Sequence, residues 1–239
     1  MGDVYEIGNW RELVPKGLGY FKDFKLEPKK TALLVIDMQR KIGDRKSARG
    51  LSKTLHKTEP ELAELYFNRL EQVVVPNIQR LLKFFRERNL KIMHFVVGPA
   101  LPSADDLPFV FKLTALRALA AEESGVIYKG TPEFEIVDSL KPEEGELVVH
   151  KVTMGGFTNT SADLLLRNMG IDGIVLVGGH THGCLESTGR AGADLGFKVV
   201  VPEDATINIL PLMHDAAMIN FASHVGRVTT TKDLLAEMA

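Results

Sequence analysis

Six stretches of the chain are nearly unbroken runs of apolar, largely β-branched residues, at 31–36, 91–97, 146–151, 173–178, 197–202 and 227–231. Runs of this length and composition predict buried strands of a parallel sheet. Between them, apolar residues recur every three to four positions, as at Ile78, Leu81, Leu82 and Phe85. That spacing predicts helices over 61–75, over 77–89 with Pro76 opening it, over 158–169 with Thr158 as a cap, from 184 to 195, over 213–224 and over 232–238. Residues 41–58, rich in Lys, Arg, Ser and Gly, and residues 98–113, with three prolines, read as long loops of the kind that line sites. Residues 1–30 read as a polar, irregular leader carrying Trp10, Tyr20, Phe21 and Phe24. Strands alternating with helices imply right-handed crossovers. The expected fold is therefore α/β: a three-layer αβα, Rossmann-like domain over 31–239 with a mostly parallel six-stranded sheet.

Composition narrows the class without naming a function. The 239 residues are 45% hydrophobic and 25% charged, with a net charge of −2, which points away from a general nucleic-acid or membrane-surface binder. No apolar run approaches the roughly 18 residues of a membrane span. One cysteine excludes an internal disulfide, and the N-terminus lacks a signal-peptide pattern, so a cytoplasmic protein is expected.

The single cysteine carries the sharpest chemical signal. Cys184 lies in Gly179-His-Thr-His-Gly-Cys184, where a strand hands over to a helix. Unpaired N–H groups and the positive end of a helix dipole favour a thiolate and an oxyanion there. Asp37 and Lys151 fall at the carboxyl ends of two other strands, on the same sheet edge. A carboxylate can take a thiol proton, and an ammonium steadies both groups. Each residue also has a plain reading: Asp37 as a turn cap, Lys151 as a solvated strand end, Cys184 as a small core residue. Two rival chemistries use the same loop. His180, His182 and Cys184, spaced by two, could ligate zinc in a metal-dependent hydrolase. Gly178, Gly179 and Gly183 between strand and helix faintly echo a nucleotide-binding turn, although the spacing is not Gly-x-Gly-x-x-Gly.

Val35-Ile-Asp-Met-Gln39, Lys151 followed by Gly156-Phe157-Thr158, Gly178-Gly-His-Thr-His-Gly-Cys184-Leu-Glu-Ser-Thr188 and Gly196-Phe-Lys-Val-Val-Val-Pro-Glu-Asp-Ala205 together resemble the isochorismatase-like cysteine hydrolases. The resemblance spans about residues 30–235 in order. It implies a Rossmann-like fold, assembly as a homodimer or homotetramer, no cofactor, and hydrolysis of a C–N bond in a small amide, urea or carbamoyl compound. It implies Cys184 as nucleophile, Asp37 as general base and acid, and Lys151 as electrostatic partner. It further implies a cis peptide between Gly179 and His180, with the N–H groups of His180 and Cys184 forming an oxyanion hole. Gln39, Phe157 and His182 are the candidate substrate contacts. Cys184 argues against the branch that cleaves a vinyl ether without a thiol. The absence of Asp-x-His between Asp44 and His56 argues against a nicotinamidase metal site. Gly155-Gly156, where the family usually has Ser-Ala, suggests a pocket loosened near Phe157, and the stretch 41–60 suggests part of a lid.

Overall fold

The computed structural model describes residues 24–47, 49–120 and 126–239. The chain runs β1 (Thr31–Ile36), α1 (Arg40–Gly43), α2 (Leu51–Thr58), α3 (Pro60–Arg69), α4 (Val75–Glu87), β2 (Lys91–Val97), α5 (Phe109–Ala120), β3 (Leu147–Lys151), α6 (Ala162–Asn168), β4 (Gly173–Gly179), α7 (Glu186–Asp194), β5 (Lys198–Pro202), β6 (Thr206–Ile207), α8 (Pro211–Asn220), β7 (Arg227–Thr229) and α9 (Thr231–Met238). Most of the expected leader, up to residue 23, lies outside the described residues. Its end is packed on the body: Leu26 is buried, and its N–H donates to Glu237 Oε1 at 3.1 Å.

The sheet order is β3-β2-β1-β4-β5-β7, with every neighbour parallel, and the short β6 extends the edge of β4. The α/β prediction with six ordered strands holds. Alternation along each strand divides the core in two. Leu33, Val35, Val175 and Val177 face α2, α3, α4 and α9, while Ala32, Leu34, Ile36, Ile174 and Leu176 face α6, α7 and α8. Helices therefore cover both faces, as a parallel sheet requires. The chain leaves β1 toward β2 and β3, then returns to the other side of β1 with β4. The switch point thus lies between the carboxyl ends of β1 and β4, where such sheets bind ligands.

Four expectations fail. Thr158 does not cap a helix, because α6 begins only at Ala162 with Ser161 at its N-cap. The stretch 41–58 is not a loop: it holds α1 and α2, whose Leu55 is buried in the core beside α3. The polar run hides an i, i+4 pair, Leu51 and Leu55, that anchors one face of a short helix. Pro76 stands in the first turn of α4, as expected, but α4 is not a separate helix. The helical run continues from α3 to α4 through a wide turn at Leu70–Val74, and the junction residues keep helical dihedrals. A widened turn accommodates a ring that lacks an N–H and would collide with the preceding turn of a regular helix. Residues 109–113, expected in a loop, begin α5. The strand β6 was missed because two residues carry no period.

Candidate active site

The register of the sheet decides which groups meet. Ile36 pairs with Phe95 on one side and Gly178 on the other, and Val97 pairs with Lys151. Asp37 therefore emerges at the end of β1, and Lys151 two strands away at the end of β3. Two strand spacings are roughly 10 Å, so only a long side chain can cross β2 to reach Asp37. Lys151 does: its Nζ donates to Asp37 Oδ2 at 2.8 Å, with the side chains 0% and 2% exposed. The same ammonium donates to the carbonyls of Thr153 at 3.1 Å and Met154 at 3.0 Å. Three acceptors match its three protons, which is the condition for keeping a buried cation charged.

Asp37 has a left-handed backbone, φ 52°, and its N–H donates to Phe95 O at 3.1 Å. Aspartate tolerates this conformation better than most residues. Its second oxygen, Oδ1, is buried and receives no well-formed hydrogen bond. The Cys184 thiol lies against this ion pair, close enough that Asp37 and Lys151 act on it both as charges and as hydrogen-bonding groups. Burial first, and then the Asp37 charge, push the thiol up to about 12, against the opposing pull of Lys151. The resting group is a protonated thiol beside a carboxylate with a vacant acceptor.

Cys184 is half-buried in a wide helical turn, Thr181–Leu185, between β4 and α7. The approach to that turn depends on two glycines. A Cβ on Gly178, which has φ 102°, would sit 2.3 Å from Ile36 O, and one on Gly179 would sit 2.6 Å from Ile207. These glycines serve close packing against β1 and β6, which removes the motivation for a nucleotide turn. The Gly179–His180 peptide bond is cis. The N–H groups of Gly183 and Leu185 both donate to His180 O, at 3.1 and 3.3 Å.

The three residues read as a possible zinc set point in different directions. The His180 ring approaches Tyr66 Oη at 3.2 Å, His182 Nδ1 lies 2.7 Å from Asn208 Nδ2, and Cys184 faces Asp37. Among the described residues, no group of three potential ligands could hold a metal ion. Burial first, then His182 and Lys41, lower His180 to about 4, so its ring is neutral near pH 7. Tyr66 Oη lies 3.2 Å from Ile42 O; if it donates there, His180 Nε2–H is the donor to Tyr66.

Two of the three expected substrate contacts make close contacts within the fold. Gln39 is fully buried. Its Nε2 donates to Phe134 O at 2.7 Å and its Oε1 accepts from Val97 N–H at 2.8 Å, so it ties β1 to β2 and to the 132–134 turn. Phe157 stacks on Phe197 at 5.6 Å in the core beneath α7. The expectation of a loosened pocket there also fails. A Cβ on Gly156 would lie 2.9 Å from the Phe95 ring, so this glycine permits tight packing, and its N–H donates to Thr188 Oγ1 at 2.8 Å. Exposed His182 stays at the rim of the turn.

The sequence reading missed Lys41, Tyr66 and Asn208. Lys41 donates to Val97 O and lies 5.7 Å from the Phe134 ring centre, and the charges of Asp37, Cys184 and Lys151 act on it. Asn208 donates to Thr181 Oγ1 at 2.8 Å and braces the turn. A cavity of about 310 Å³ is lined in part by Leu65, Tyr66, Asn208 and His214; Asp37, Lys151 and Cys184 do not line it.

The structure is a parallel Rossmann-like α/β sheet with a thiol, a carboxylate and an ammonium gathered at its switch point. Residues 31–233 match the Isochorismatase domain, and the chain belongs to the isochorismatase family. It is 30% identical over 222 residues to the ureidoacrylate amidohydrolase RutB of Acinetobacter baylyi, covering 88% of this chain and 84% of that protein. The fold resembles a cysteine hydrolase from Pseudomonas syringae pv. phaseolicola, with TM-score 0.74 and 22% identity over 91% of this chain and 96% of the other. It also resembles N-carbamoylsarcosine amidase from Thermoplasma acidophilum, with TM-score 0.60 and 24% identity over 84% and 96%. No helix among the described residues is long and apolar enough to cross a membrane.

Proposed function

We propose that the protein is a cysteine-dependent amidohydrolase that cleaves a C–N bond in a small amide, urea or carbamoyl compound. The observation that carries this reading is the buried Lys151–Asp37 pair at 2.8 Å with the Cys184 thiol against the same carboxylate. The relatives named for ureidoacrylate and N-carbamoylsarcosine support the bond class and supply the first compounds to try.

The chemistry follows from the protonation states. A thiol held at about 12 is not a standing thiolate; it needs a base at the moment of attack. Asp37 Oδ1 takes the proton as Sγ forms a bond to the carbonyl carbon, and the C=O electron pair moves onto oxygen. The N–H groups of Cys184 and His180 receive that oxyanion; Gly183 and Leu185 are already bonded to His180 O. Protonated Asp37 gives its proton to the nitrogen as the C–N bond breaks, releasing ammonia or an amine. Water, deprotonated by the same carboxylate, then cleaves the thioester-like intermediate and restores the thiol. Lys151 stays hydrogen-bonded to Asp37 Oδ2 and holds the carboxylate in place between steps. These steps use no cofactor. We further propose a homodimer or homotetramer, which light scattering measures.

Ammonia release from a panel of small amides, ureas and carbamoyl compounds, run beside Cys184→Ala, tests the reading. Release by the wild type alone supports it; equal release by both proteins rejects the thiol.

A further inference from the structure

The site holds one more positive charge than the hydrolysis needs. Lys41 sits in α1, directly after β1, and its neighbour Arg40 turns outward to pair with Asp138 at 2.8 Å. Lys41 turns inward. Its Nζ donates to Val97 O at the end of β2, lies 5.7 Å from the Phe134 ring centre, and would be 3.3 Å from a Cβ on Gly98. The titratable groups that face it are Asp37, Cys184, Lys151 and His180. Asp37 is already paired with Lys151, His180 is neutral near pH 7 and the thiol is protonated. Among the described residues, no carboxylate forms an ion pair with Lys41. An ammonium has three donors, and one of them is engaged. Lys41 is partly buried, and an ammonium with reduced access to water and no counter-ion is stabilised when a ligand supplies the charge.

We infer that Lys41 is the anchor for a carboxylate of the substrate, making this a hydrolase of ureido or amide acids in which the anion lies a few ångströms from the scissile carbonyl. The scissile bond rests on the amidohydrolase reading above; the anion rests on Lys41. The second cation also fits the order of events. A carboxylate bound there neutralises Lys41 and leaves the Lys151–Asp37 pair undisturbed for proton transfer. Burial first, and then the Lys151 charge, lower the Lys41 ammonium to about 8, against the pull of Asp37 and Cys184. A bound carboxylate raises it again, so binding of the anion takes up protons and weakens as pH rises past about 8.

Calorimetry on Cys184→Ala separates the anchor from the chemistry. The probes are 3-ureidopropionate and the neutral N-propylurea. The acid is expected to bind roughly 10- to 100-fold more tightly, as suits a charge-assisted hydrogen bond. That ratio should collapse toward one in Cys184→Ala/Lys41→Met and persist in Cys184→Ala/Lys41→Arg, with melting temperatures reporting that each variant is folded. The acid's affinity should fall above pH 8 while that of the neutral urea stays flat. Equal affinity for the two probes, undetectable binding of both included, overturns the inference, as does a preference that survives Lys41→Met. Ammonia release by the wild type from the same compounds reads the other half. No release together with Lys41-dependent binding rejects the amidohydrolase and keeps the anchor. Release without preference for the acid keeps the amidohydrolase and rejects the anchor.

Discussion

Strands β2 and β3 carry a buried ionic cluster at each end, and the two clusters are built on opposite terms. At the amino end, Glu146 precedes β3 and accepts from Arg86 Nε at 2.7 Å, Arg86 Nη2 at 3.0 Å, His94 Nε2 at 3.0 Å and its own turn's Glu143 N–H at 3.0 Å. Three of these four bonds fall on Oε2 and one on Oε1, so both oxygens are engaged. At the carboxyl end, Asp37 accepts Lys151 on one oxygen and leaves the other without a well-formed bond, Cys184 holds its proton, and Lys41 lacks an ion-pair partner among the described residues. In the first cluster both carboxylate oxygens are engaged and His94 Nδ1 is left without a partner; in the second the carboxylate itself has a vacant acceptor and the cation has no counter-ion, which leaves more for a ligand to meet. Burial alone does not mark a functional site; a vacant carboxylate oxygen beside a thiol is the more telling sign.

The largest effects should separate these clusters cleanly. Cys184→Ala and Asp37→Asn are each expected to lower kcat by at least about 10,000-fold, as loss of a member of a coupled catalytic set does. Asp37→Asn should also lower stability, by about 3 kcal/mol, because Lys151 is left charged and buried without its partner. Turnover with the better substrates of the ammonia panel, and urea unfolding of the same samples, check both. If Glu146→Gln were found to abolish turnover with an intact fold, the division between a structural and a reactive cluster would fail.

Glu146→Gln is instead expected to act on stability. Burial pushes the Glu146 carboxyl up, but hydrogen bonds from His94, Arg86 and the Glu143 amide outweigh it and hold the group down near 2. A carboxyl depressed in the fold stabilises it above the unfolded value, about 4.5, and that stability is lost as pH falls from there to about 2. The span corresponds to about 3 kcal/mol. Thermal melts from pH 6 to pH 2 should therefore show a steep acid slope in the wild type and a shallower one in Glu146→Gln, whose melting temperature at pH 6 is lower.

The two clusters also differ in how visible they are in the sequence. Asp37, Lys151 and Cys184 are legible because each ends a strand that apolar runs announce, and a parallel sheet brings such ends to one edge. Gly156 was legible as unusual but not as packed, since its reason is a ring of Phe95 from a distant strand. The contacts of Gln39 and Phe157 within the fold were not legible, because sequence proximity to a motif does not tell which way a side chain points. Lys41 and Tyr66 lie in stretches whose helices were read as loop or by period alone. What picks them out is the other side of a tertiary contact, Val97 O for one and His180 for the other. Glu146 and His94 sat unnoticed in two strands for the same reason.

Asp37 should also reveal itself through the thiol in the absence of any substrate. Its charge and hydrogen bond raise the Cys184 thiol, while Lys151 lowers it. Asp37→Asn removes the first pair of influences and leaves the second. The thiolate fraction at neutral pH should rise, so iodoacetamide should alkylate Cys184 faster in Asp37→Asn than in the wild type, even as turnover vanishes. Slower or equal alkylation would mean that Asp37 does not set the protonation of the thiol.

The smallest expected effect belongs to Tyr66, which borders the reactive cluster yet is itself fully bonded. Its hydroxyl meets Ile42 O and His180 Nε2, both at 3.2 Å, and joins α3 to the turn that carries Cys184. Tyr66→Phe keeps the ring's packing against Phe67, whose centre is 5.0 Å away, and removes only the two bonds. The loss should cost about 1 kcal/mol of stability. Because His180 is neutral in either protein near pH 7, no charge is released, and the effect on turnover should be confined to a less firmly held His180 N–H. A drop in kcat of less than about tenfold, with KM little changed, is the expected outcome, since tenfold corresponds to about 1.4 kcal/mol. A loss on the scale of Cys184→Ala would move Tyr66 from the braced surroundings into the chemistry and redraw the boundary between the bonded and the unbonded parts of the site.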